Sequence, residues 1–468
     1  MFDKIIYTKR RDNLKKKCTG GLLFFPGNEE SAMNYAANTY PFRQDSSFLY
    51  FFGIDLPGLA AIIDLETGEE IIYGNDRDID DIIWMGTQPP ISEIAAKAGI
   101  TNTKPISRLN TDVQKAIQLK RDVKILPPYR GDQRIFISEV LGVPVQQINE
   151  FISEDFIKAV ISLREIKEEG EISQIEFAID VAYRMHTAMM KMALPGTWER
   201  EIVGRMEGIS LANGGMVSFP VILSIDGQTL HNHFHGNMLK EGRIVVADAG
   251  CESPLHYASD ITRSVPVGGR FSQRQKEIYE IVLAANVNSI NSIKPGVFNR
   301  DLHLAAAGTI VDGLKELGIM KGDTEDAVQQ GAHALFFPHG LGHMLGLDVH
   351  DMENLGENFI GYDNTISRSK QFGTAYLRLA KKLKPGFVFT IEPGIYFIPA
   401  LIDLWKSERK FEEFINYNKV DTFRDFGGIR IEDDVLVTEN GGRVLGKPIP
   451  KTIEEIEKIQ EKPIDASQ

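Results

Sequence analysis

Residues 339–351, HGLGHMLGLDVHD, constrain the fold more than any other stretch of the chain. Thirteen positions carry three histidines and two acids, in a protein with ten histidines in all. Leu341, Met344, Leu345, Leu347 and Val349 are interleaved with them, so the polar groups must be held against a core and not spread over a solvated face. Glycines at 340, 342 and 346 allow other backbone to come close. A single histidine in such a place is commonly satisfied by one hydrogen bond. Three within twelve residues point to a metal or catalytic site.

Carboxylates in apolar surroundings add to this. RIVVADAGCESPLHYASDITRSVPVGG reads as two strands around a turn, with Asp248 near the end of the first and Asp260 at the start of the second. A hairpin would bring these acids together, and like charges there require a positive neighbour. The alternative, one acid in solvent and one capping a turn, is equally open at this point. Glu392 interrupts the apolar run GFVFTIEPGIYFIP, where an unpaired carboxylate is expensive. In GGIRIEDDVLVTENGG, Ile429, Ile431, Val435 and Val437 share one strand face and Arg430, Glu432 and Asp434 the other, which alone reads as a solvated face. Taken together, Asp248, Asp260, Glu392 and Glu432 supply four negative charges and His343 one imidazole, a set that two divalent ions would neutralise. Oxygen-rich donors with a single nitrogen suit Mn²⁺, with Co²⁺ or Zn²⁺ as alternatives, and the scarcity of thiolates argues against structural zinc.

The 468 residues allow two or three domains and a large core. A net charge of −13 disfavours nucleic acid or an anionic membrane as partner. Two cysteines, Cys18 and Cys251, exclude a disulfide framework and fit a reducing compartment. The N-terminus shows no apolar signal-peptide core, and no run reaches the ~18 apolar residues of a membrane helix, so a cytoplasmic enzyme is expected.

Residues 1–160 read as an α/β domain, with strands at 21–27, 47–54, 58–65, 69–74 and 123–129 and helices at 91–99 and 111–122. A linker is expected around residues 151–171. From 165 onward the period becomes helical, with Ile172, Ile175, Phe177, Ala178, Val181, Met185, Ala188 and Met189 on one face. Further helices are expected at 198–215, 273–293 and 299–319, between strand-like segments that carry the acids. The expected class is α+β, with a larger C-terminal domain over 161–468.

The order Asp248, Asp260, His343, Glu392, Glu432, set within LHN, VADAG, SDITRS, HGLGHMLGLDVHD, TIEPGIYF and GGIRIEDDV, resembles the pita-bread metallopeptidases. Within that fold it is similar to the aminopeptidase P and prolidase group of Xaa-Pro peptidases. FRQDSSFLYFFG (42–53) and IWMG around Trp84 extend the likeness into the N-terminal domain. Methionine aminopeptidases share the five donors but lack such a domain, and creatinases lack the complete donor set. The resemblance implies two ions bridged by Asp260 and Glu432, with Asp248 completing one and His343 and Glu392 the other. It implies hydrolysis of the bond before proline by a metal-bridging hydroxide, with Glu392 shuttling the proton. His231 and His350 would bind substrate and intermediate, His339 would line the pocket, and Arg430 would hold a donor carboxylate from behind. It also implies a homodimer or larger assembly, with Trp84 near a neighbouring subunit's site. The expected partners are peptides with proline in second position.

Forty positions separate Glu392 from Glu432, and this insertion, with that at 352–382, resembles prolidase more than compact aminopeptidases P. Arg378 lies where prolidase-like chains place an arginine near a dipeptide's free carboxylate. The N-terminal match favours aminopeptidase P, which is the expectation; a dipeptidase is the alternative.

Overall fold

The computed structural model describes residues 1–464. The chain forms two compact units: Met1–Arg164 with the short return Met352–Phe359, and Glu165–Asp351 with the chain from Ile360 onward.

The first unit is built on a five-stranded sheet in the order Asn102–Lys104, Glu70–Tyr73, Ala60–Asp64, Leu22–Pro26, Val123–Lys124. The two central pairings are antiparallel and the two outer ones parallel. Its core gathers Phe24, Ile62, Tyr73, Val113, Ile137 and Val140, all but fully buried. Three expectations fail here. Residues 47–54 form a helix, Ser46–Phe52, not a strand. Asp45 caps it by accepting from the Phe48 amide, and Gly53, at φ 64°, ends it. All seven helical residues are buried, so no polar face breaks the apolar run and the 3.6 period is invisible. Phe25 contacts Phe51, Phe52 and Phe156 at ring distances of 5.4, 5.2 and 5.1 Å. The expected linker contains the helix Glu154–Arg164, which buries Phe156, Ile157, Val160 and Ile161. Expected strand 123–129 shrinks to Val123–Lys124, because Pro127 and Pro128 cannot donate to a ladder.

In the second unit, the helix Glu169–Met192 buries Ile175, Ala178, Val181, Met185 and Met189, while Phe177 is 40% exposed. Three more long helices follow: Glu199–Ala212, Gln273–Asn291 and Asn299–Glu316. They accompany two three-stranded sheets and a two-stranded pair. One sheet is Thr262–Pro266, Ile244–Asp248, Ile222–Ser224; the other is Val388–Ile391, Asp433–Thr438, Gly441–Val444. Gly394–Tyr396 pairs with Gly428–Arg430. The alternating segment 427–442 is therefore two strands with a break at 431–432, each with its own antiparallel partner. Elements cover both of its sides, so the solvated face does not exist. Arg430, Glu432 and Asp434 are 3%, 2% and 0% exposed.

Candidate metal centre

Strand pairing delivers the first acids. Asp248 ends its strand opposite Thr262, and Asp260 lies on the loop two residues before Thr262. The Ala249 amide donates to the Ile261 carbonyl at 3.0 Å, closing the hairpin where both acids stand. The Glu432 amide donates to the Thr262 carbonyl, which brings the third acid to the same place.

The histidine segment is laced to the strand Val388–Ile391. The Thr390 amide donates to the His343 carbonyl, the His343 amide to the Thr390 hydroxyl, and the Glu392 amide to the Leu341 carbonyl. Gly342 is required here, since a Cβ would stand 1.8 Å from the Thr390 carbonyl oxygen. His343 and Glu392 thus face the acids from the opposite side.

Asp260, His343 and Glu432 each offer a donor atom, all within 4.8 Å of one another. His343 Nε2 lies 3.4 Å from Asp260 Oδ2 and 3.6 Å from Glu392 Oε1. His343 Nδ1 faces the Met344 carbonyl at 3.1 Å; a carbonyl only accepts, so Nδ1 holds a proton and Nε2 is the ring nitrogen turned toward the acids. The back of the cluster is tied down. Arg430 Nη2 donates to Asp248 Oδ2 at 2.6 Å, and the Thr262 hydroxyl donates to Glu432 Oε2 at 2.7 Å. Arg430 also donates to Thr262 Oγ1 and to the Tyr396 hydroxyl, which in turn meets His339 Nε2 at 2.9 Å.

The front is left unsatisfied. Asp248 Oδ1 and Asp260 Oδ1 are buried with no hydrogen-bond partner among the described residues. Burial, then the charges of Asp248, Asp434 and Glu392, raise the Asp260 pKa well above the carboxylate range. Burial and neighbouring acids raise Glu432 in the same way, and burial raises Glu392. One guanidinium cannot neutralise this set, and buried charges without compensation are costly. Front-facing oxygens, one available imidazole nitrogen and donors held from behind are the arrangement a divalent metal site requires.

The centre opens into a cavity of about 630 Å³ that is also lined by His231, His339, His350, Arg378 and Arg430. The His350 ring stacks on His343 at 3.8 Å. Burial, reinforced by Arg430, lowers the His339 pKa to about 3, and burial also lowers that of His231. The cavity wall includes Phe372 and Tyr376 from the first insertion and Ile398 and Leu401 from the second. Trp84 belongs to the other unit, where it is 84% exposed on the helix Ile79–Met85. Sequence reasoning missed Thr262 and Tyr396, which orient the acids and His339. The run SDITRS held the signal for Thr262: a residue next but one to an acid and facing its partner strand. Asp434 was read as facing solvent, whereas it accepts from the Asp260 amide at 3.0 Å.

Residues 173–439 match the model of metallopeptidase family M24, and residues 7–126 that of the aminopeptidase P N-terminal domain. A probable Xaa-Pro aminopeptidase of Uncinocarpus reesii is 30% identical over 454 residues, covering 95% of this chain and 91% of its own. The Xaa-Pro dipeptidase of Homo sapiens is 30% identical over 448 residues, covering 94% and 88%. A zinc-substituted E. coli aminopeptidase P in complex with product matches with a TM-score of 0.80, at 28% identity and over 98% of both chains. The protein is an enzyme of metallopeptidase family M24, with the pita-bread catalytic fold and the N-terminal domain of the Xaa-Pro aminopeptidase and prolidase group.

Proposed function

We propose that this enzyme is an Xaa-Pro aminopeptidase that hydrolyses the bond between an N-terminal residue and a following proline, using two divalent ions, Mn²⁺ in the native state. The observation that carries this reading is the grouping of Asp260, His343 and Glu432, whose donor atoms lie within 4.8 Å of one another beside the buried, unpartnered Asp248 Oδ1 and Asp260 Oδ1. Asp248, Asp260, His343, Glu392 and Glu432 would hold the ions. Bound there, divalent ions polarise the scissile carbonyl and make water nucleophilic near neutral pH.

The protein's own groups do the rest. Arg430 and Thr262 each occupy one oxygen of a donor carboxylate, which aims the other oxygen forward. Glu392 borders the cavity beside His343, where it would carry the proton from the attacking water to the leaving proline nitrogen. His231 and His350 face the cavity and donate to the substrate carbonyl and to the charge that develops on it. Neutral His339, oriented by Tyr396, adds no charge to the pocket wall. Proline lacks an N–H, so recognition at that position must be apolar; Leu230, Val349, Ile398 and Leu401 supply such a surface.

A dipeptidase is the second reading, and the presence of Arg378 in the cavity wall favours it, because a guanidinium forks onto a free carboxylate. Relatives of both kinds match over nearly the whole chain, so the N-terminal domain does not discriminate. We further propose a homodimer or larger assembly in which Trp84 borders a neighbour's site; Ile79, Ile83 and Met85 are exposed beside it. Free, buried Cys18 and Cys251 support a reducing, cytoplasmic setting, and no helix among the described residues is long and apolar enough to cross a membrane.

The test is hydrolysis of Xaa-Pro and Xaa-Pro-Yaa peptides by chelator-treated enzyme with and without added Mn²⁺, before and after Arg378→Ala. Cleavage of both lengths only with metal is expected. Full activity in metal-stripped enzyme refutes the metal reading. Failure to cut tripeptides, with dipeptide turnover selectively lost in Arg378→Ala, establishes the dipeptidase.

A further inference from the structure

We infer that residues 165–167 act as a two-pronged clamp that positions the substrate-facing side chains His350 and Arg378, an inference that rests on the roles proposed for those two residues. The first prong is Lys167. Its ammonium meets Asp351 Oδ2 at 2.8 Å, and both side chains are only 1% exposed. Such a pair is a poor stability device, since apolar groups of equal volume are commonly as stable or more so. Its use lies in what it fixes. Asp351 directly follows His350, whose ring stacks on His343 with an interplanar angle of 26°. The Asp348 amide donates to Asp351 Oδ1, and the Asp351 amide donates to the Met344 carbonyl, so the residues flanking His350 are tied to one carboxylate and to the histidine segment. Gly346 makes room for the pair: a Cβ there would stand 2.5 Å from Asp351 Oδ2 and 2.9 Å from Lys167 Cε. The Lys167 amide also donates to the Gly386 carbonyl, at the turn leading to Glu392.

The second prong is Glu165. Its carboxylate grips Lys381 Nζ at 2.7 Å and Lys384 Nζ at 2.9 Å, and Glu165 and Lys381 are 6% and 5% exposed. Lys381 lies three residues past Arg378. The Ala380 and Lys381 amides both donate to the Gly361 carbonyl, so the end of the first insertion is fixed at that point. The two prongs are separated by one residue of backbone. A shift of that backbone moves both loops, and the positions of His350 and Arg378 are therefore coupled through it. Neither Glu165 nor Lys167 lines the cavity; they are positioning residues.

The experiment uses the full-length enzyme loaded with Mn²⁺. Lys167→Met alone leaves the Asp351 charge buried, so the double change Lys167→Met with Asp351→Asn, which removes both charges, is made beside it. The expected result is a kcat lower by about 10–100-fold, the effect of a small misplacement of a reacting group. KM and bound metal should be nearly unchanged. Adding His350→Ala to the double change should cause little further loss, because the clamp acts through His350. Glu165→Gln should instead raise KM for Xaa-Pro dipeptides, and should add little to Arg378→Ala. The inference is overturned by fully additive losses, or by normal kinetics of the double change when His350→Ala itself is impaired. If wild-type enzyme cuts no Xaa-Pro peptide, or His350→Ala and Arg378→Ala are both silent, the functional reading itself fails and the clamp with it.

Discussion

Replacing Thr262 by valine keeps the shape of a fully buried side chain and removes one hydroxyl. That hydroxyl donates to Glu432 Oε2 at 2.7 Å and accepts from Arg430 Nε at 3.0 Å. A hydrogen bond to a charged group contributes about 1.5–3 kcal/mol. At about 1.4 kcal/mol per tenfold, the bond to Glu432 could alter metal affinity by about 10–150-fold. The metal-free cluster offsets part of this. Burial and neighbouring acids raise the Glu432 pKa there, so the carboxyl is less charged and the hydroxyl bond is weaker than in the loaded state. Only the difference between the two states reaches the metal equilibrium, which puts the expected loss near the lower end, about tenfold, within the range for residues that orient metal ligands. The assay is activity against buffered free Mn²⁺, with calorimetric metal titration beside it. The midpoint should rise about tenfold with kcat at saturating metal little changed, and Thr262→Ser should stay near wild type. An unchanged midpoint in Thr262→Val, or an equal loss in Thr262→Ser, would show that the hydroxyl does not hold Glu432 in place.

Metal removal should have a pH signature. Asp260, Glu392 and Glu432 have folded-state pKa values raised above their unfolded values, so the metal-free fold binds more protons than the unfolded chain. Their contribution to stability is present below the unfolded carboxylate pKa and is lost as pH rises through the raised values. The melting-temperature gap between Mn²⁺-loaded and chelator-treated protein should therefore be wider at about pH 8 than at about pH 5; a gap independent of pH contradicts this charge analysis. Trp84→Ala should weaken substrate binding more than it lowers the melting temperature, and should shift the oligomer distribution in light scattering. A wild-type monomer with normal kinetics at assay concentration disproves the shared-site arrangement.

The cluster was legible from its members taken together, since Asp248, Asp260 and Glu432 each left a bland alternative open. Glu392 sits in an apolar run, Asp248 ends one, and three histidines crowd into thirteen positions. Together such patterns are costly unless the polar groups converge, and Asp260, His343 and Glu432 do converge. What failed was reading from period alone. The helix Ser46–Phe52 is buried on every side, and so loses the amphipathic signature that identifies Glu169–Met192. Arg430, Glu432 and Asp434 alternate like a solvated strand face, because alternation records side-chain chemistry and not what covers it. The supporting groups were hidden for another reason. Thr262 and Tyr396 are ordinary strand residues, and only the pairings Thr262↔Asp248 and Gly394↔Arg430 bring them to the acids and to Arg430.

The lacing of the histidine segment onto Val388–Ile391 separates what can vary from what cannot. His343 and Glu392 lie on backbone whose amides and carbonyls are exchanged with a neighbour, so a residue gained or lost between 341 and 343, or between 390 and 392, would break the register. The parts of the cavity wall that come from the two insertions obey no such rule. Phe372, Tyr376, Ile398 and Leu401 come from insertions whose length is unconstrained by sheet pairing. Substrate preference in this architecture can therefore drift by loop exchange while the reaction centre stays untouched. An engineer seeking a new peptide specificity should begin with 362–378 and 398–426 and leave the paired strands alone.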